Sequence, residues 1–160
     1  MTREAMGLQV DVPERHDIRA TFLFHPPVDD AAAWHMTLEG FVRVLTETFP
    51  DAFTKYRTSP LRGSDAVDFE VEIAPGTWLE GVAQTPVEDS AVVTLVGATA
   101  HEAAEFALWI RSKLLPSPGL LRFSSDRAME SGHDAEWLLP PSDEAAEVEA
   151  AFLDHLESVR

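Results

Sequence analysis

The sequence predicts an α+β domain with a mainly antiparallel sheet and about three helices packed on one face or at its ends. Three observations predict it. The middle of the chain carries three strand-like runs in succession, joined by short turns, which is the pattern of a meander and not of a parallel sheet. Helical stretches flank that block on both sides, and another closes the chain. A length of 160 residues, 45% hydrophobic and 25% charged, suffices for one core, so residues 1–160 read as a single domain with 1–16 as a flexible arm.

The first strand is DIRATFLFH, where Ile18, Ala20, Phe22 and Phe24 alternate with Arg19, Thr21, Leu23 and His25, and Pro26 and Pro27 end it. The segment VDDAAAWHMTLEGFVRVLTETFP offers Asp29 or Asp30 as an N-cap and repeats Trp34, Leu38, Phe41 and Leu45 at helical spacing. Residues 51–64 mix turn formers with Phe53 and Tyr56 and fit either a short strand or a loop. The clearest strand is DFEVEIA, with Phe69, Val71 and Ile73 on one face and Asp68, Glu70 and Glu72 on the other. Pro75-Gly76 then makes a turn into TWLEGVAQT, and Pro86 to Ser90 a second turn into AVVTLVG. Glu80 is ambiguous: a plain two-residue turn places it opposite Val71 on the apolar face, whereas a bulge turns it outward.

Thr99 and Glu102 make a capping box that opens HEAAEFALWIRSKLL, whose apolar face is Ala103, Phe106, Ala107, Ile110 and Leu114. Arg111 and Lys113 near its end complement the helix dipole. PSPG breaks this helix, LLRFSS reads as a further short strand, and SSDRAMESGHDAEW as an acidic loop. A last helix begins at about Ser142, with Val148, Phe152, Leu156 and Val159 on one stripe.

Charge is the outlier of the composition. Asp and Glu number 28 against 12 Lys and Arg, a formal net charge of -16. Such a field repels nucleic acid and anionic membrane and speeds encounters with basic molecules. The acids are also segregated: Gly63 to Ile110 and Ala128 to Val159 each contain nine carboxylates and no Lys or Arg. With no cysteine, thiolate and disulfide chemistry are excluded, and a reducing cytoplasm is the expected compartment. The polar start of the chain lacks a signal-peptide pattern, and no run is long enough for a membrane span.

Motifs for chemistry are sparse. Neither GxGxxG nor GxxxxGK[ST] occurs, and there is no GxSxG elbow. His101-Glu102-x-x-Glu105 lacks the second histidine of a helical zinc site, and its residues suit a helix's first turns instead. No catalytic residue, metal ligand or cofactor is assigned. His133 with neighbouring Asp or Glu marks the alternative, a small ligand-binding or hydrolytic enzyme with a cleft. The remaining candidates form contact surfaces. Asp126, Glu130, Asp134, Glu136 and Trp137 lie in the acidic loop, and Asp68, Glu70 and Glu72 share one strand face. Acids beside an aromatic fit capture of a basic protein, with electrostatics setting the association rate.

The stretch HEAAEFALWIRSKLLPSPGLLRFSSDRAMESG, with the acidic tail after it, resembles small actinobacterial proteins that accompany polymorphic toxins as immunity proteins. That resemblance implies a cytoplasmic, non-catalytic protein that occludes a cationic toxin or effector. The element order also looks like the acidic α+β fold of type III secretion chaperones, which implies an escort role as a second alternative.

Overall fold

The computed structural model describes residues 17–59, 64–85, 90–133 and 136–159. The expected arm at 1–16 and Asp134 lie outside the described residues. The chain forms one α+β domain around a seven-stranded sheet in the order β2-β3-β4-β5-β1-β6-β7, with every pairing antiparallel. The strands are β1 (Arg19–His25), β2 (Phe53–Ser59), β3 (Ser64–Ala74), β4 (Thr77–Gln84), β5 (Val92–Thr99), β6 (Arg122–Ser125) and β7 (Trp137–Leu138). The helices are α1 (Leu38–Thr48), α2 (Ala100–Trp109), α3 (Asp126–Glu130) and α4 (Ala145–Ser158). Strand β1 lies mid-sheet; the chain then crosses by α1 to the far edge and returns through the β2 to β5 meander. Helix α2 carries it over to β6, on the other side of β1.

Alternation along the strands sorts the sheet into two faces. Phe22 and Phe24 of β1, Phe69 of β3, Leu95 of β5 and Phe123 of β6 point to one side, where α1, α2 and α4 cover them with Phe41, Phe106 and Phe152. Phe69 stacks on Phe106 at 5.7 Å and 9°, and Phe152 meets Phe22 and Phe123 edge-on at 5.0 and 4.8 Å. Burying each such ring contributes roughly 1.5–3 kcal/mol. Gly81 makes the centre of this layer possible, because a Cβ there would strike the Thr94 carbonyl oxygen and come within 2.5 Å of Phe69 Cζ.

Several local expectations change. Helix α1 begins at Leu38, capped by Thr37 accepting from Gly40 N at 3.0 Å, and not at Asp29 or Asp30. Residues 28–30 make only a 3-10 turn, and His35 adopts a left-handed φ of 51°. The reason is tertiary: Trp34 is buried and donates Nε1–H to the Leu120 carbonyl at 2.8 Å, which a continuous helix from Asp30 does not provide. Residues 53–59 are a strand, the exposed edge of the sheet. The acidic loop contains α3 and β7. The Thr99–Glu102 capping box is present in both directions. Helix α2 passes into a π-turn over Ile110–Leu114, closed by Leu115 N to Ile110 O at 3.1 Å, so Ile110 and Arg111 are both buried.

Candidate functional site

Register settles the orientation of Glu80. Ala74 pairs with Thr77 across the two-residue turn, but Glu72 pairs with Trp78, so Ile73 is an extra residue in a bulge. Gly76 takes the positive φ of 78° that the turn requires, and its N–H donates to Glu72 Oε2 at 2.8 Å. The bulge shifts everything after it by one, and Glu80 comes to lie directly opposite Glu70 on the outward face.

That outward face is left open by α1, α2 and α4. One row across it reads Phe53, Glu70, Glu80, Val96, and the next pairs Glu72 with Trp78. Phe53 is 53% exposed, Trp78 51% and Val96 40%. Among the described residues Glu70 and Glu80 have no hydrogen bond or ion pair. Asp68 is different: Arg57 grips it with Nε and Nη2, each at 2.8 Å, and Asp68 in turn holds the guanidinium pKa above its ordinary value, chiefly through those hydrogen bonds. Like charges placed directly opposite in a sheet oppose folding. The Glu70–Glu80 pair is therefore a local cost to the fold that a cation between them would relieve.

The expected loop residues sit elsewhere and act locally. Asp126 opens α3 and accepts from Thr21 N at 3.2 Å and Arg127 N at 2.8 Å, which ties α3 to β1. Glu136 accepts from Val28 N at 2.8 Å and stands 3.8 Å from Arg122 Nε. Glu130 is exposed. Trp137 is half-buried with its ring edge-on to His155, centroids 4.4 Å apart. Strands β3 and β6 are separated by four strand spacings, about 19 Å, so the β3 acids and those around α3 form two regions and not one.

Histidines meet partners that spacing did not reveal. His133 shares a cavity of about 400 Å³ with His25, Ser124 and Glu136, yet among the described residues Glu136 is the only carboxylate on its wall, and it is already held by Val28. Among the described residues no three His, Asp or Glu converge as a metal set. Ser125 Oγ and His155 Nε2 lie 2.8 Å apart and have the composition of a nucleophile with its base. Both are buried, no described carboxylate orients His155 Nδ1, and Phe123 and Trp137 pack on the imidazole. Burial, with His133 nearby, lowers the His155 pKa to about 4. Among the described residues the pair lacks the access and third group that nucleophilic catalysis needs. Its role is to join α3 to α4, since the same Ser125 Oγ caps α3 by accepting from Ala128 N at 3.1 Å.

Arg111 stands near the end of the α2 segment, where it is expected to complement the helix dipole, but its side chain is also buried and donates to the Ser142 carbonyl at 3.1 Å. No described helix is long and apolar enough to cross a membrane. No family model, no curated protein and no solved structure matches the chain.

Proposed function

We propose that the chain is a non-enzymatic protein-binding module whose partner is a basic protein, and that the open face of β3 and β4 is where it binds. One observation carries this reading: Glu70 and Glu80 face each other without a counter-ion among the described residues, bordered by exposed Phe53, Trp78 and Val96. A guanidinium from a partner fits between the two carboxylates through charge-assisted hydrogen bonds, and Trp78 offers an aromatic face beside it. The exposed aromatic and β-branched neighbours supply the desolvated contact that charge alone lacks. The net charge of -16 adds long-range steering. In its sharpest form, which follows the immunity-protein resemblance, the partner is a cationic toxin or effector and binding covers its active site.

The test is an NMR titration of the labelled protein with a short arginine-rich, strand-forming peptide and with its glutamate-substituted counterpart. The expected result is perturbation centred on Glu70, Trp78, Glu80 and Val96 by the cationic peptide only, lost in the E70Q/E80Q variant. Because that variant also removes the opposed charges, its fold is expected to gain about 0.2–1 kcal/mol in denaturant unfolding. Tight binding confined to residues 126–137, or binding untouched by E70Q/E80Q, removes the β3–β4 face as the site.

A further inference from the structure

At the other end of the sheet, the π-turn after α2 meets the segments around β6 and β7 to enclose a cavity of about 470 Å³. Its walls include Leu121, Leu138, Leu139 and Pro141, together with the side chains of Arg111 and Arg122. In a chain with such a surplus of acid, two guanidiniums on one apolar cavity are the unexpected feature.

Arg111 is only 9% exposed. Its Nη1 donates to the Ser142 carbonyl, and among the described residues its buried Nε has no hydrogen-bond partner and no carboxylate lies within ion-pair distance of it. Burial lowers its pKa, and Asp143 offsets this only in part. Burying a charge without a paired counter-charge is unfavourable, and a guanidinium retained there calls for an anion. Arg122 is held in place by the carbonyls of Gly119 and Leu121, at 2.8 and 3.2 Å from its Nη1, and its Nε stands 3.8 Å from Glu136, a long ion pair with which a bound carboxylate competes. Anchoring of Nη1 on backbone carbonyls restrains both guanidiniums before any ligand arrives, which lowers the ordering cost of binding.

We infer that this cavity binds a small apolar monocarboxylate, with the carboxylate on Arg111 and Arg122 and the hydrocarbon body against Leu121, Leu138 and Leu139. The planar forks match a carboxylate's two oxygens. Asp143 on the same wall selects against a dianion such as phosphate and against a second carboxylate. The site is separate from the β3–β4 face, which lies several strands away.

The experiment is an NMR titration that follows the Arg111 Nε–H and the methyl groups of Leu121 and Leu139. The probes are octanoate, phenylacetate, their methyl esters, hexylammonium and inorganic phosphate. Saturable shifts with the two acids are expected, at least tenfold weaker with the esters and absent with hexylammonium. R122Q is expected to weaken octanoate at least tenfold and D143N to tighten it severalfold. L138D, at an exposed position, is expected to weaken it while the thermal midpoint stays unchanged, which separates loss of binding from loss of fold. Equal affinity of acid and ester, tighter binding of phosphate, or no saturable shift with either acid overturns the inference. E70Q/E80Q leaves octanoate binding unchanged, so the two sites stand or fall separately.

Discussion

His155 is a buried imidazole whose neutral form the fold requires. Its pKa is pushed down to about 4 from 6.5 by burial, with His133 adding repulsion, so the unfolded chain binds a proton that the folded chain refuses. The resulting stability is fully present above about pH 6.5 and is lost as pH falls toward 4, on the order of 3 kcal/mol over the whole window. Denaturant unfolding across that range is expected to show this slope in the native protein and a reduced one in H155F; equal slopes would remove His155 as the cause. His101 acts with the opposite sign. Its hydrogen bond to Glu149 at 3.0 Å raises its pKa, and the benefit, present below the ordinary value, fades as pH rises through the raised one. In the sequence His155 falls beside Phe152 and Leu156 of the last helix's apolar stripe, which marks it as a packed or half-buried residue and not a ligand. Its contact with Ser125 was hidden, because thirty residues and a change of element separate the two.

At the scale of elements, strands and caps with local causes were legible. Period-two alternation showed the faces of β3, and Thr99 with Glu102 showed the start of α2. What depended on distant partners was not. The start of α1 moved because Trp34 had to reach Leu120, and β2 emerged from an ambiguous stretch because β3 supplied its ladder. The candidate site was half legible for the same reason: Glu70 was visible on its strand face, but Glu80 joined it only through the bulge at Ile73. Close approach between β4 and β5 gives an element-scale prediction. Gly81→Ala is expected to destabilise by about 1–3 kcal/mol, because the added methyl must displace Phe69 or part the strands. Gly119→Ala, where a Cβ meets nothing within 4 Å, is expected to stay within about 0.5 kcal/mol. Thermal unfolding of the two variants side by side makes the comparison, and equal midpoints would show that Gly81 is not the constraint.

For the whole molecule, the charge of -16 acts on folding and on association with opposite sign. Self-repulsion opposes the compact state, and salt screens it. Raising sodium chloride from about 20 to about 300 mM, across which the screening length falls several-fold, is therefore expected to raise the thermal midpoint while slowing capture of a basic partner. A midpoint that falls with salt would mean that attractive pairs such as Arg19–Glu102 and Arg57–Asp68 outweigh the repulsion. The sheet order has another consequence, for the path by which the molecule forms. Strand β1 leads the described chain yet ends in the middle of the sheet, between β5 and β6. On the ribosome it emerges long before either neighbour exists, whereas β2 to β5 can pair hairpin by hairpin as they appear. Loop-closure entropy makes such distant pairing slow. A nascent chain thus carries Phe22 and Phe24 unpaired until synthesis passes residue 99, and the period of greatest aggregation risk is set by how far apart β1 and its neighbours are encoded.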